Sequence, residues 1–200
     1  MRQTPEADRR RTVYLPPWRV DVIRRAGIRS RLPATTLATA IARALEAGSA
    51  PSPASVTVVL TDDAELAELN AEHMGVDGPT DVLSFPMLPP ESFERVEGRP
   101  ASARGSRRAP RRPGASRPEV SARPGARRTH IGDIAISVER AVEQAIEGRG
   151  GQTGDVRWSA ADELRLLVTH GALHLCGWDH AKPADEAAMR TLERELLERS

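Results

Sequence analysis

The chain has 200 residues and a mass of 21.7 kDa, which is a size for one domain or for one domain with appendages. Its 39% of apolar residues can form a core, which excludes a wholly disordered chain, and no run approaches the roughly 20 apolar residues of a membrane-spanning helix. Aromatic residues amount to 3%, too few for a surface that binds single-stranded nucleic acid by stacking. Cys176 is the only cysteine, and Met1 to Arg11 are charged and lack the apolar stretch of a signal peptide, so we expect a cytoplasmic protein.

The charged residues are unevenly distributed. From Glu91 to Arg128, eleven Arg stand against four Glu, a local charge of +7, so the rest of the chain carries −6 of the net +1. Lys182 is the sole lysine. Arg clusters suit nucleic-acid backbones, because a guanidinium donates two hydrogen bonds to one phosphate. A genome of high GC content also enriches Arg without selection for binding, and the composition leaves both explanations open.

The predicted elements begin after a flexible tail over residues 1–11. Apolar residues four apart indicate a helix from Leu32 to Ala47, and the β-branched run Ser55–Thr61 predicts a strand. A second helix follows, capped by Asp62 or Asp63 and with Leu66 and Leu69 facing inward. A second short strand is predicted over Asp81–Phe85, stopped by Pro86.

The composition changes between Leu88 and Thr129, where Pro, Gly, Ser, Ala and Arg predominate without periodicity. Such a segment buries too little apolar surface to offset its ordering entropy, so we expect a disordered insertion over residues 88–129 between ordered parts at 12–87 and 130–199. Beyond it the patterns predict a strand and three helices, over Ile131–Ser137, Val138–Glu147, Ser159–Cys176 and Asp185–Glu198. Strands alternating with helices indicate a single domain of the α/β (α+β) class, with helices packed on a small mixed sheet.

The segment Thr169–His180 holds three of the five histidines. His170 and His174 are four residues apart on an apolar helix, so they lie about 40° apart around its axis and project from one side. Gly177 is placed to take the left-handed conformation that ends a helix, which would turn His180 back toward the same point. Three converging imidazoles with an open fourth position are the ligand set of a catalytic zinc. We therefore predict one zinc ion per chain, held by His170, His174 and His180.

The remaining histidines and the cysteine are expected to have ordinary structural roles. Two histidines at this spacing occur by chance, but three within one short segment around a helix-ending glycine favour metal binding over packing. Cys176 lies about 240° around the helix from His170, so we expect it to fill the core. His73 and His130 are isolated and are expected on the surface or in loops.

The histidine spacing matches the zinc-binding helix of metzincin peptidases, in which a glycine separates the second and third histidines as Gly177 does here. Those enzymes carry a glutamate directly after the first histidine, where it acts as general base. This chain has Gly171 at that place. A peptidase of that mechanism is therefore disfavoured.

The segment His170–His180 resembles the metal motif of the YbeY family, the metal-dependent endoribonucleases that mature rRNA in bacteria. Two further segments agree and come in the family's order: Pro79–Pro86, and Gly132–Ser137 followed by a helix. The resemblance spans about residues 55–86 and 129–198. It implies cleavage of single-stranded RNA, maturation of the 3′ end of small-subunit (16S) rRNA, a part in ribosome quality control, and zinc on the three histidines.

Two features depart from the family. The family often carries an arginine, thought to act on the RNA, at the position that holds Met74 here, so its contribution must come from elsewhere or be absent. The Arg-rich stretch between Pro86 and Ile131 is longer and more basic than the usual loop. We expect its positive charge to lie along phosphate backbones.

The expected chemistry follows from the ligands. Zinc polarises a phosphate oxygen, lowers the pKa of a bound water toward ~7, or does both. RNA also offers its own nucleophile, the 2′-hydroxyl, which would explain how a site with Gly171 in place of glutamate works. No side chain is therefore identified as catalytic, and the reactive group is expected to be a water at the His170, His174 and His180 site or the RNA itself.

Several polar side chains near these motifs have more than one possible role. Asp179 either orients an imidazole or shapes the turn after the helix. Asp81 and Asp133 are expected to make structural hydrogen bonds. Thr80 and Ser84 are candidates for phosphate contacts.

Three classes of function remain in competition. A metal-dependent endoribonuclease is favoured; the alternatives are a metzincin-type zinc metallopeptidase and a non-catalytic rRNA-binding ribosome-assembly factor. The expected partners are RNA, in the form of small-subunit rRNA and ribosomal particles, with no membrane and no DNA. Metal-dependent RNA cleavage separates the first class from the third, and a peptide library tests the second.

Overall fold

The computed structural model describes residues 7–93, 128–147 and 158–198. These ranges form five strands: β1 (Arg9–Leu15), β2 (Trp18–Arg24), β3 (Ala54–Thr61), β4 (Val82–Pro86) and β5 (Thr129–Ser137). They also form five α-helices: α1 (Ala34–Ala47), α2 (Asp63–Met74), α3 (Val138–Glu147), α4 (Ala160–Leu175) and α5 (Pro183–Glu198). None of the described helices has the length and apolarity needed to cross a membrane.

The strands form one mixed sheet in the order β1-β2-β3-β5-β4. The three central strands run parallel, while β1 and β4 pair antiparallel with their neighbours at the two edges. Helical crossovers join parallel strands, so helices must cover the sheet. The prediction of an α/β domain with a small mixed sheet is confirmed.

The core lies mainly on one face of the sheet, beneath α1 and α4. Inward-pointing side chains of β3 and β5 are fully buried there: Val56, Val58, Leu60, Ile134 and Ile136. The opposite face carries a smaller cluster, in which Leu66 of α2 packs against Leu83 and Ala135. Helix α4 contacts α1, α3, α5 and the strands β4 and β5. A residue on α4 is thus held from several sides, which fixes the position of the histidines.

Most elements predicted after residue 32 are confirmed, with bounds that differ by a residue or two. Helix α3 has the predicted bounds. Helix α4 begins with the predicted capping box, in which the Ser159 hydroxyl accepts from the Asp162 backbone N–H and the Asp162 carboxylate accepts from the Ser159 backbone N–H. Two backbone N–H groups at the start of the helix, which have no partner within the helix, are hydrogen bonded in this way.

The hairpin β1–β2 corrects the expectation for the start of the chain. A flexible tail through residue 11 is wrong for Arg9–Arg11, which pair with Val22–Arg24. Three consecutive arginines hide the alternation of β1. In β2 the period-two pattern is present, since Trp18 and Val20 are buried and the residue between them is not.

The described structure also extends into the segment expected to be a disordered insertion. Phe93 is buried and Leu88 packs partly against the same core, because apolar side chains anchor this part of the chain. Strand β5 begins at Thr129, which pairs with Ala54. The prediction of disorder is therefore wrong for Leu88, Phe93 and Thr129, and for residues 94–127 it lies outside the described residues.

Candidate metal centre

The three histidines of the predicted metal site lie together at the C-terminal end of α4. His170 and His174 are on the helix, and both are half-buried. Gly177 has a φ of 78°, the left-handed conformation that reverses the chain after the helix. The reversal brings the exposed His180 back, and its ring lies 5.5 Å from the ring of His170 and 5.0 Å from that of His174.

The nitrogen atoms of these rings converge. One ligand atom from each of His170, His174 and His180 lies within 4.8 Å of the others, and the two Nε2 atoms of His170 and His174 are 3.0 Å apart. Histidine nitrogens bind zinc at about 2.0–2.1 Å, so two nitrogens on a tetrahedral ion lie roughly 3.3 Å apart, which is close to the 3.0 Å between His170 and His174. The arrangement is able to hold a metal ion.

A buried carboxylate fixes the orientation of the first histidine. Nδ1 of His170 donates a 2.6 Å hydrogen bond to Oε1 of Glu193 on α5, and the Glu193 side chain is 7% exposed. With its proton on Nδ1, the imidazole presents the lone pair of Nε2 to the other two histidines. Carboxylates that accept from metal-binding imidazoles commonly set the tautomer and the ring position in this way.

His174 is held in its uncharged form by its surroundings. Burial lowers the pKa of its imidazole to about 4, and the neighbouring His170 and His180 act in the same direction. A charged imidazole cannot bind a metal, because the nitrogen lone pair is then occupied by the proton. His174 is thus available as a ligand at neutral pH.

The turn that carries His180 is shaped by Asp179. Its carboxylate accepts hydrogen bonds from the backbone N–H of His180 at 2.8 Å and of Ala181 at 3.3 Å. Of the two roles considered for Asp179, the structure shows the turn. The preceding Trp178 is buried, and its backbone N–H donates to the carbonyl of Leu173. The turn is therefore anchored on both sides of Asp179.

Gly171 faces the sheet. A Cβ at this position would lie 2.8 Å from Cγ2 of Ile134 and 3.1 Å from Oγ of Ser84. Ser84 also donates a 3.1 Å hydrogen bond to the carbonyl of Gly171. The close approach of α4 to β4 and β5 leaves no room for a glutamate, which explains why the general base of a metzincin is absent.

The histidines open into a cleft of about 670 Å³ between β4, α4 and α5. One wall carries apolar side chains, among them Leu166, Leu167 and Met189. Charged side chains also line it, including Glu186 and Arg190, which form an ion pair of 2.6 Å. The cleft is large enough for a small part of a polymer, and it exposes the histidine nitrogens to it.

Comparison with known proteins identifies the family of this chain. The family model of endoribonuclease YbeY matches residues 26–200. This chain belongs to the endoribonuclease YbeY family. The expected resemblance is confirmed, and the match includes α4, α5 and the turn between them.

Curated relatives agree with the family model. A protein named endoribonuclease YbeY from Roseiflexus castenholzii is 36% identical over 82% of this chain and 81% of its own length. Another of that name, from Symbiobacterium thermophilum, is 38% identical over 78% of each chain. The solution structure of TM1509 from Thermotoga maritima is 20% identical, with a TM-score of 0.44 and coverage of 82% and 81%.

For the other residues of the YbeY-like motifs, the structure confirms some of the predicted roles and leaves others as predictions. Met74, Thr80, Asp81 and Ser84 all line the cleft. Asp81 makes structural hydrogen bonds as expected, accepting from the backbone N–H of Val82 at 2.9 Å. Thr80 donates to Asp81 and Ser84 to Gly171, so both hydroxyls already have acceptors within the protein. Their contact with phosphate stays a prediction.

The isolated histidines lie away from the cluster. His73 is exposed and its ring meets the edge of Phe85. His130 is in strand β5 with a side chain that is 38% exposed, so of the two predicted locations it has the surface and not the loop. It hydrogen bonds to Asp133 at 2.9 Å and to Ser55 at 3.2 Å, so Asp133 has the expected structural role. Cys176 is fully buried, as expected of a core residue.

Sequence reasoning did not identify Glu193. The signal was available, because the apolar stripe of α5 includes the buried Met189, and Glu193 follows it by one helical turn on the same face. A carboxylate at a core position of an amphipathic helix requires a buried partner. His170 is that partner.

Proposed function

We propose that this chain is a metal-dependent endoribonuclease that cleaves single-stranded RNA, with a role in maturing the 3′ end of small-subunit (16S) rRNA and in ribosome quality control. The observation that carries the proposal is the convergence of three imidazoles in an open cleft, in a chain of the endoribonuclease YbeY family. Ribosomal particles are the expected partners. We assign the activity to the cytoplasm, where the single thiol of Cys176 stays reduced.

The donor set fits one zinc ion per chain. All three ligands are imidazoles, and their nitrogens lie within 4.8 Å of one another. His170 is turned by Glu193 so that Nε2 points inward, and burial keeps His174 uncharged. Three neutral imidazoles facing an open cleft are the donor set of a catalytic zinc site. We therefore assign zinc to His170, His174 and His180.

When bound, the ion supplies a Lewis acid that withdraws charge from a phosphate oxygen. The residues of the chain fix where this happens. Glu193 restrains the ring of His170, and the Asp179 turn restrains the backbone of His180. Restraint of this kind places reactive groups in advance, so that no reorganisation is needed during reaction.

The absence of a base at Gly171 favours the substrate's own nucleophile. In that reaction the 2′-oxygen bonds to phosphorus, the bond from phosphorus to the 5′-oxygen breaks, and the proton lost by the 2′-hydroxyl is balanced by one gained at the leaving oxygen. The products are a 2′,3′-cyclic phosphate and a 5′-hydroxyl. End-group analysis of the fragments tests this step, since attack by water would leave no cyclic phosphate.

The test of the proposed function combines metal content with cleavage. The purified chain should contain about one zinc per molecule and should cut a single-stranded fragment from the 3′ end of small-subunit rRNA. Chelation should abolish cleavage, and zinc should restore it. His174→Ala should lose both zinc and cleavage, while the matched core variant Cys176→Ala should keep both.

Each alternative class predicts a different result. Zinc at full occupancy with tight RNA binding and no cleavage would identify a non-catalytic assembly factor. Cleavage of a peptide library without cleavage of RNA would identify a zinc metallopeptidase, which the contact of Gly171 with the sheet argues against. Either result would overturn the proposal.

A further inference from the structure

A second cavity lies at the other end of the sheet from the histidines. It has a volume of about 270 Å³ and is lined by Arg9 and Arg11 of β1 and Arg24 of β2. Its floor is apolar and includes Val22, Leu32 and Leu60. We call it the arginine pocket.

The strand register brings the arginines together. Arg9 lies directly opposite Arg24 in the antiparallel pair, and Arg11 lies opposite Val22. Because side chains alternate between faces, these three arginines share one face of the hairpin, while Arg10 points to the other. Like charges directly opposed across two strands destabilise a sheet. An anion held between the guanidinium groups of Arg11 and Arg24, which share this face, would offset the repulsion between their charges.

Three neighbouring arginines form ion pairs with carboxylates. Arg10 and Arg19 both form 2.9 Å ion pairs with Asp21 on the opposite face. Arg25 is paired with Asp8 and Glu65. No acidic residue is among the described residues that line the pocket. Arg11 and Arg24 have no ion pair to any described residue.

The shape and charge of the pocket fit a phosphate group. Guanidinium groups donate paired hydrogen bonds to phosphate oxygens, and several of them around one anion bind it from different directions. The pocket also reaches Ala34, the first residue of α1, whose first turn contains no acidic residue. The positive end of the helix dipole adds to the field there.

The position of the pocket suggests that the phosphate belongs to a polymer. The pocket is lined by β1, β2 and Leu60 of β3, and the histidine cleft is lined by β4 at the opposite edge of the sheet, with β5 between them. The match to the family model begins at residue 26, after the hairpin that carries the three arginines. The three arginines therefore precede the matched region, whereas Ser30, Leu32, Ala34 and Leu60 of the pocket lie within it.

We propose that the arginine pocket binds a backbone phosphate of the RNA substrate and holds that RNA at a second point remote from the histidines. The identity of the polymer rests on the proposed function, whereas phosphate binding rests on the pocket alone. A second contact on one chain raises the overall affinity for a long ligand, because the second binding event is intramolecular. Only RNA long enough to span both sites gains from it.

The test is equilibrium binding of a fluorescent oligouridylate to the full-length protein after chelation, which prevents cleavage. Arg11→Gln/Arg24→Gln should weaken binding about tenfold at low salt, since each of the two lost ion pairs at the protein surface is worth at most roughly a factor of five. The slope of log affinity against log salt should become shallower by roughly 0.7 per lost contact. The control Arg10→Gln/Arg194→Gln removes the same charge outside the pocket and should change affinity by less than about twofold.

Three results would overturn the proposal. The first is that the pocket and control variants weaken RNA binding equally. The second is that the pocket variant weakens binding of a dinucleotide as much as binding of the long RNA. The third is that the pocket variant loses binding to vesicles of anionic phospholipid while keeping RNA binding, which would assign the pocket to lipid phosphate. Thermal melting separates misfolding from lost contacts, because removing one of two opposed arginines should leave the Tm unchanged or raise it. RNA binding by metal-free protein is measured without cleavage, so a failure of the proposed nuclease activity is seen separately.

Discussion

The carboxylate of Glu193 accepts a 2.6 Å hydrogen bond from Nδ1 of His170, and this bond connects α5 to the histidine helix α4. Glu193 is buried beside Met189 on the inner face of α5. A buried carboxylate is stable only with a strong donor, and a metal-binding imidazole gains orientation from such an acceptor. The packing of α5 and the geometry of the metal site therefore depend on one another.

Glu193→Gln should lower zinc affinity by about 10-fold to 100-fold, because a neutral amide orients the imidazole less strongly and adds no basicity to it. Isothermal titration with zinc measures the change. Glu195→Gln, an exposed substitution on the same helix, should leave affinity unchanged. Equal zinc affinity in wild type and Glu193→Gln would show that this carboxylate only packs the helix.

Gly171→Ala should destabilise the fold by about 1–3 kcal/mol, because the added methyl group overlaps Cγ2 of Ile134, which is too stiff to move away. Urea unfolding gives the magnitude. Ile134→Leu removes that Cγ2, so the double variant should lose less stability than the sum of the two single variants. Strict additivity would mean that α4 moves as a whole instead.

Removal of the metal should leave the fold intact. The packing of α4 rests on apolar side chains such as Leu164, Val168 and Leu173, which are fully buried and independent of the histidines. After chelation the far-UV circular dichroism should be unchanged, and zinc at about one hundred times its Kd should add roughly 2.7 kcal/mol of stability. A coil-like spectrum in chelator would instead identify a structural metal.

The ion pair between Arg25 and Glu65 should make stability depend on acid pH. The hydrogen bond from Arg25 lowers the pKa of Glu65 below its usual 4.5, and a bond from Thr61 acts in the same direction. The stabilisation is thus present above the unfolded-state pKa and is lost as the pH falls through the lower folded-state pKa.

Near neutral pH, Glu65→Gln should lower the free energy of unfolding by at most about 1 kcal/mol, since both side chains of the pair are partly exposed. This difference from wild type should shrink at pH values below 4.5. Urea unfolding at several pH values checks it, with the exposed Glu68→Gln as control. A difference that is constant with pH would rule out the ion pair as its source.

The sequence predicted the histidine cluster because its geometry is local. His170 and His174 are related by the helix period, and His180 by a turn that requires a left-handed glycine at position 177. The bond to Glu193 depends instead on how α5 docks on α4, which is a tertiary relationship. In the sequence, Glu193 stands out only as a carboxylate within the apolar stripe of α5.

The strands also differ in whether local sequence or distant pairing determines their structure. The β-branched run of β3 predicts a strand from local sequence alone, because β-branched side chains pack well on the pleated surface of a sheet. The arginines of β1 have no local preference for a strand, and Arg9–Arg11 are ordered by their pairing with β2. Pairing partners distant in sequence therefore limit what a single sequence reveals at the edge of the sheet.

The register of β4 and β5 determines how freely the chain between them can change in length. Pro86 lies opposite Gly132, and the backbone N–H of Met87 donates to the carbonyl of Ile131, so the sheet itself holds the two ends of the connection side by side. The entropy of closing a loop grows only with the logarithm of its length, about 0.6 kcal/mol for each doubling. We expect insertions or deletions between Phe93 and Arg128 to change the closure entropy by only this small amount. Evolution can alter the length and charge of this connection at one edge of the cleft while the histidines stay where they are.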